Sequence, residues 1–420
     1  MPILRSVTRP TDTWNPAKDS RESIRYIDVS AVSRETLTID SVGRISAREA
    51  PSRARKIVRA GDTIFATIRP GLKRVAKVPL DLDGEIASTA FCVLRPDRKC
   101  IDPDYLFFLA SSDAFVASVS ANETGASYPA VRDKDVFDQQ VKLPSLREQQ
   151  DIASALNLVR RTMLNEAALF VAAQELKRAT VHQLFTRGLR GESQKDTEIG
   201  RMPESWSPRT ILELCEIWSG GTPRKSIAEY WNGRIPWVSG KDLKRPTLDD
   251  AIDHLSPAGV QAGSRVAPEG AVLLLVRGMG LAKDLPVAVI NQPMAFNQDV
   301  KALVSRGPYS GHFLRSAIYA GKERLLSQIV ASAHGTMTLN LNDVETFKVA
   351  CPRDPDEAKD IATILDVLDR KIDLHQTKRE VLEHLFESLL HKLMTGEIAV
   401  SDLDMSTLVP ASTQSEGAQA

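Results

Sequence analysis

Two stretches of the chain carry apolar residues at alternating three- and four-residue steps with no glycine or proline, and this spacing predicts two long amphipathic helices. In 151–186 the stripe is Ile152, Leu156, Val159, Met163, Phe170 and Leu184. In 360–395 it is Ile361, Leu365, Leu368, Ile372, Leu382, Phe386, Leu389 and Leu393. Both are heptad-type seams, and about 36 residues of helix make a rod of roughly 54 Å. Gly188 and Gly396 supply the stops. Polar residues interrupt each stripe midway: Glu166 in the first, His375 and Arg379 in the second. An antiparallel pairing sets Glu166 roughly opposite Arg379 or His375, where a polar contact would fix the register.

The second stretch repeats the first without a gap, from Asp151 onto Asp360, and nine of the 36 pairs are identical. Ahead of each helix lies a segment of short apolar runs punctuated by Gly, Pro and Asp, which predicts α+β domains with mixed, mostly antiparallel sheet. These segments correspond more loosely. Residues 59–69 and 267–277 each read as turn, strand and arginine, ending on Arg69 and Arg277. Tyr105-Leu106 matches Phe313-Leu314, and Gly125 and Gly335 stand in polar loops. The predicted plan is a domain over 1–144, a helix over 145–190, a polar linker over 191–202, a domain over 203–352, a helix over 353–400 and a disordered tail over 401–420. It amounts to a pseudo-two-fold internal repeat: two globular domains separated by two long antiparallel helices that form a coiled-coil-like spacer.

Composition adds exclusions. The chain's 420 residues suffice for two or three cores, with an ordinary 42% hydrophobic and 26% charged content. The longest apolar runs, such as 271–276, are strand-length, so no membrane span is expected. The first ten residues lack the apolar core of a secretory signal. Cys92, Cys100, Cys215 and Cys351 are scattered with no CxxC pair, which predicts inert thiols and a cytoplasmic location. The net charge of zero hides a local +8 over 44–77 and a local −7 over 354–404, a distribution compatible with one surface for DNA and another for a protein partner.

Several motifs, in order along the chain, carry a family resemblance. Pro203-Glu204-Ser205-Trp206 leads to Trp218-Ser219-Gly220-Gly221-Thr222-Pro223, then to Glu229-Tyr230-Trp231-Asn232-Gly233 and Ile235-Pro236-Trp237-Val238-Ser239. This resembles the opening of a target recognition domain of the specificity (HsdS) subunits of Type I restriction-modification systems. Leu143-Pro144-Ser145-Leu146-Arg147-Glu148-Gln149-Gln150 resembles the entry to that family's central helix, and Leu393-Met394-Thr395-Gly396-Glu397-Ile398 the exit from its distal one. The first domain departs from the pattern. It lacks a clear counterpart of Gly220-Gly221-Thr222-Pro223 and begins at Thr13-Trp14-Asn15-Pro16. Cys351-Pro352-Arg353-Asp354-Pro355 departs from the usual distal-helix entry.

The resemblance implies a non-catalytic, DNA-binding subunit. Each domain would bind one half of a bipartite asymmetric target on double-stranded DNA, and the helices would set the spacer and dock two adenine methyltransferase subunits. Restriction subunits would join in a full nuclease. No cofactor is expected on this chain; S-adenosylmethionine, ATP and Mg2+ would sit on the partners, and no metal site is expected. The sequence contains no GxxxxGK[ST] loop and no HExxH motif. Base and phosphate contacts call for basic, amide and hydroxyl side chains at strand ends and loop tips. The candidates are Arg69, Lys73, Arg74, Ser88, Thr89 and Tyr128 in the first domain, and Thr222, Arg224, Lys225, Lys241, Arg277, Asn297 and Gln298 in the second. Trp231 and Trp237 read as core. Two other readings compete: a coiled-coil interaction scaffold with no DNA role, and a nuclease with specificity fused in.

Overall fold

The computed structural model describes residues 1–125, 127–331 and 335–403. The chain divides into two compact units, Met1–Ala168 with Lys378–Ala420, and Leu169–Thr377. The cut crosses both long helices, Leu146–Arg187 and Pro355–Thr395, so each unit holds one globular domain and half of each helix.

In the first unit one sheet runs Thr8–Arg9, Phe91–Pro96, Thr63–Ala66, Val75–Lys77, and another runs Arg44–Ser46, Ser23–Ile27, Ile86–Ser88, Ala54–Ile57. In the second unit the orders are Cys215–Ser219, Val300–Ser305, Val272–Leu275, Val287–Ile290, and Asp253–Leu255, Ile235–Val238, Met294–Phe296, Arg265–Ala267. The two plans are the same strand for strand. Each second sheet contains one parallel pair, Tyr26 beside Ile86 and Trp237 beside Ala295. The first sheet of the second unit gains the short edge strand Thr247–Leu248, and three two-stranded pairings stand beside its sheets: Gln194–Thr197 with Gly200–Pro203, Ser207–Thr210 with Lys348–Cys351, and Val330–Ala331 with Met337–Thr338. The first domain, whose opening departs from the family motif, therefore shares the topology of the second. Its Thr13-Trp14 start is structural: Thr13 bridges Lys56, and Trp14 is buried with Ile24, Ala54 and Ile86. The central strands Thr63–Ala66 and Val272–Leu275 are buried on both faces, which is why they read as continuous apolar runs rather than alternations.

Both helices begin on side-chain caps. Ser145 Oγ accepts from the Glu148 amide at 3.2 Å, and Asp354 Oδ1 accepts from the Asp356 amide at 3.0 Å. The distal helix starts with Pro355 in its first turn, where the missing N–H costs nothing. Gly188 and Gly396 close the helices in left-handed conformations, φ 65° and 78°.

The seam residues lie in the two cores. In the first unit Ile152, Leu156 and Val159 are buried with Leu382, Phe386, Leu389 and Leu393, and Met163 packs beside them. In the second unit Leu184 is buried with Ile361 and Leu365, while Ile372 is half-buried. In both, early residues of one helix meet late residues of the other, so the halves run antiparallel. Midway along the seam Glu166 is buried and receives Lys378 Nζ at 2.5 Å, and Arg379 pairs with Glu383 at 3.5 Å.

Residues 191–202, expected as a linker, include most of an antiparallel hairpin, Gln194–Thr197 with Gly200–Pro203, turned by Gly200 at φ 104°. Met202 and Pro203, its buried residues, are adjacent rather than alternating, so it carries no period-two pattern to read. Of the expected disordered tail, residues 404–420 lie outside the described residues.

The second unit buries a charged cluster where its domain meets the distal helix. Arg315, 2% exposed, donates to Asp369 at 2.5 Å, and Lys177 from the central helix also reaches Asp369. Burial pushes the Lys177 ammonium below its usual pKa range, and Asp369 pulls it partly back. Replacing Asp369 with Ala strands two cations in a dry site. Urea unfolding of the full chain should show a loss of about 3–5 kcal/mol. The triple change Lys177→Met, Arg315→Met, Asp369→Leu should recover most of it.

Candidate nucleic-acid interface

In each unit three loops are tied together by the same backbone hydrogen bonds. In the first, Thr67 N–H donates to Ala90 O at 2.8 Å, Val131 N–H to Thr67 O at 2.9 Å, and Arg69 N–H to Pro129 O at 2.7 Å. In the second, Val276 donates to Asp299 at 2.8 Å, Leu339 to Val276 at 2.8 Å, and Gly278 to Met337 at 2.9 Å. The equivalence corrects the sequence alignment by one position. Arg69 corresponds to Gly278, and Arg277 corresponds to Ile68, since Ile68 bridges Ala130 as Arg277 bridges Thr338.

The first-domain candidates separate into three groups. Arg69 and Tyr128 are exposed and stack on one another, with the guanidinium carbon 5.3 Å from the ring centre. Thr89 is exposed, with its amide donating to Arg53 O at 2.8 Å. Lys73, half-buried at φ 52°, is ion-paired to Asp113. Arg74 and Ser88 are structural. Arg74 donates to the carbonyls of Val29 and Val32, and Ser88 is fully buried with its hydroxyl accepting from the Ala90 amide. Sequence could not separate these from surface residues, because a hydroxyl or guanidinium at a strand end serves turns and loops equally well.

In the second domain the glycines of Gly220-Gly221-Thr222-Pro223 are demanded by packing. A Cβ on Gly220 would lie 2.1 Å from Phe296 O, and one on Gly221 2.1 Å from Gly263 O. This close seat presents Thr222, whose hydroxyl donates to Gln298 at 2.7 Å, with both residues exposed. Arg224 and Lys225 are exposed in the following turn, and Arg277 is exposed. Lys241 is exposed and held by Asp253 at 2.7 Å. Asn297 is buried and accepts from the Asp299 amide, which makes it a turn residue. Trp237 is buried and donates to Gly221 O at 3.0 Å; Trp231, half-buried, donates to Arg224 O and meets Trp237 edge-on.

Sequence reading passed over two features of this surface. Arg265 lies 3.6 Å over the Trp218 ring, and Lys301 donates to Ser219 at 2.8 Å across adjacent strands. Residues from separate strands make both pairs, so no local pattern announces them. The +8 segment is also diluted on folding. Lys56, Arg59, Lys73 and Lys77 pair with Asp133, Asp83, Asp113 and Asp104. Arg44, Arg48, Arg53 and Arg69 stay exposed with no ion-pair partner among the described residues.

Burial pushes the Cys215 and Cys351 thiols up to about 12 and raises Cys92 as well, which keeps these sulfurs protonated and poor nucleophiles. Among the described residues no group of three or more His, Cys, Asp or Glu is placed to hold a metal, and no helix is long and apolar enough to cross a membrane.

A family profile described as "Type I restriction modification DNA specificity domain" matches residues 16–169 and 203–384. The Type I restriction enzyme MjaIX specificity subunit of Methanocaldococcus jannaschii is 28% identical over 48% of this chain and 47% of its own length. This chain thus spans about half the length of that relative. The HindI specificity subunit of Haemophilus influenzae is 21% identical over 84% of this chain and 89% of its own. A solved structure, described as bearing on complex assembly and conformational transition of the type I R-M system, is 28% identical over 94% of this chain and 97% of its own, with a TM-score of 0.52.

The packing of Gly221 and the openness of Gly270 make a paired test of the second domain's loop. Gly221→Ala forces backbone apart and should lower the melting temperature sharply. Gly270→Ala meets open space, and its φ of 80° should cost only about 1–2 kcal/mol. Thermal unfolding followed by circular dichroism ranks the two.

Proposed function

The chain belongs to the Type I restriction modification DNA specificity family, and from that premise we propose that it is the sequence-specificity subunit of a Type I restriction-modification complex. Each globular domain binds one half of a bipartite, asymmetric DNA target. The long helices set the unread spacer between the halves and dock two adenine methyltransferase subunits, with restriction subunits added in the nuclease form. Chemistry belongs to those partners, which carry S-adenosylmethionine, ATP and Mg2+; this chain contributes recognition.

The observation that carries the reading is the duplicated domain plan with unlike loop tips. Two copies of one topology give two equivalent ways to seat on a duplex, as in dimeric readers of half-sites. Different side chains at equivalent positions, such as Arg69 and Gly278, then make the two halves unequal, which a non-palindromic target requires. The scaffold reading accounts for the helices but not for family matches that extend through both globular domains.

Methylome sequencing of cells with and without the gene, the partner methyltransferase being expressed, tests the proposal. Loss of a single bipartite methylated-adenine motif is the expected result. An unchanged set of motifs counts against it.

A further inference from the structure

The tip formed by Arg69 and Tyr128 is more constrained than a surface loop needs to be. Arg69 has a left-handed backbone, φ 49°, a conformation that glycine adopts without penalty and a residue with a Cβ avoids. The second domain places Gly278 at the equivalent position, also at positive φ, 145°. Arg69-Pro70-Gly71-Leu72 thus stands where the second domain has Gly278-Met279-Gly280-Leu281, and both runs form a short 3-10 turn. At both tips the residue before the turn has a positive φ, but ψ differs, 57° at Arg69 and 167° at Gly278, so the first domain holds an arginine in the left-handed region where the second is extended at glycine.

What holds it is visible. The Arg69 amide donates to Pro129 O at 2.7 Å, and Pro70 disfavours the right-handed helical region for the residue before it. On the facing loop Thr124 and Ala130 exchange backbone hydrogen bonds of 3.0 Å, and Ile68 bridges the same Ala130. Gly125, at φ 96°, lets that loop close: a Cβ there would sit 3.0 Å from Tyr128 O. Tyr128 is left 74% exposed, an aromatic ring on a pinned turn. The Arg69 guanidinium lies over it and donates one terminal nitrogen to Ser127 O at 3.3 Å. Its Nε and second terminal nitrogen have no partner among the described residues. A residue with a Cβ held in the left-handed region by its surroundings points to a role for the tip beyond folding.

We propose that Arg69, oriented by stacking on Tyr128, reads a guanine in the first half of the DNA target. This rests on the reading of the chain as a specificity subunit. A guanidinium presents a planar fork of donors, and guanine presents two acceptors, O6 and N7, on one edge in the major groove. A phosphate can take the same fork but accepts a point charge such as lysine's as well, whereas the two acceptors of guanine select the fork. The Tyr128 ring beneath the guanidinium, the bond to Ser127 O and the pinned backbone restrict the fork, so less conformational freedom is lost on binding. The second domain has no such fork at this position; Met279, 64% exposed, is the side chain its tip presents.

The test uses the full chain assembled with its methyltransferase subunits, and the readout is methylation across targets that vary one base at a time. Arg69→Gly puts at this left-handed position the residue that adopts it without penalty, so its melting temperature should equal or exceed that of the unaltered chain. Discrimination for guanine at one position of the first half should fall from roughly 5- to 150-fold to nearly none, with the second half unchanged. Arg69→Lys keeps the charge and loses the fork and should relax the same position; Tyr128→Ala should relax it partly. The inference is overturned if Arg69→Gly leaves every position as selective as before. It is equally overturned if that variant weakens all sequences alike with a flatter salt dependence, the signature of a phosphate contact, or if Arg69→Lys matches the unaltered chain. If the unaltered complex itself shows no bipartite target, the proposed function fails and this inference with it.

Discussion

Neither domain of this chain completes its hydrophobic core from its own sequence neighbourhood. The first unit closes Phe107, Phe108, Leu106 and Val116 against Ile152 and Leu156 from one long helix and against Phe386, Leu389 and Leu393 from the other. The second closes Phe313, Leu314 and Ile318 against Val181, Leu184, Ile361 and Leu365. Each long helix is therefore core material for both units. Within each unit that shared core sets the register of the two helix halves. The charged contacts Glu166 with Lys378, and Lys177 with Asp369, lie toward the inner stretches of the helices, where side chains grow more exposed and apolar packing specifies less.

That shared burden explains what the amino-acid sequence made legible. A helix that must bury a stripe over some forty residues writes a long periodic signal, and a duplicated one writes it twice. The strands are short and buried on both faces, so their existence could be read but not their partners. Pairings such as Cys215–Ser219 with Val300–Ser305 join residues far apart in sequence. The one-residue error in matching Arg69 to Arg277 has a related cause. Both arginines follow a buried strand, and only the cross-loop hydrogen bonds show which of two adjacent residues occupies the tip. The candidate site was legible as a class of residues at strand ends. Which of them face outward depended on turns: Ser88 and Asn297 spend their side chains on neighbouring amides, while Thr89 and Gln298, one residue on, are exposed.

The glycines divide along the same line. Gly220 and Gly221 are needed because other backbone occupies the space of a side chain. Gly278 is needed because of its φ of 145°, and at the equivalent position the first domain uses Arg69 in a different, left-handed conformation. A motif read as a family signature is thus partly a record of close backbone packing. That is why the first domain can lack it and keep the fold: its entry is held instead by buried Trp14, whose indole donates to Asp19 at 2.5 Å.

The two domains also dock on their helices through equivalent positions with opposite chemistry. In the first unit the cation is on the long helix: Arg160 lies 5.0 Å over the Phe107 ring and donates to the carbonyls of Thr36 and Leu37. Burial holds its guanidinium below the usual arginine range. In the second unit the position matching Phe107 is Arg315, and the position matching Arg160 is Asp369, so the cation sits on the short helix and meets an anion. Each arrangement gives the guanidinium partners, one a ring face and carbonyls, the other a carboxylate, and each leaves Nε without a hydrogen bond among the described residues. Exchanging the partners would set Arg315 against Arg160, two buried cations with no counter-charge, and Phe107 against Asp369, leaving the carboxylate with Lys177 alone. Like charges in a dry site cost far more than a mismatched apolar contact. A duplicated chain risks each domain docking on the wrong copy of a similarly patterned helix, and divergence at this pair of positions penalises that error in a buried site.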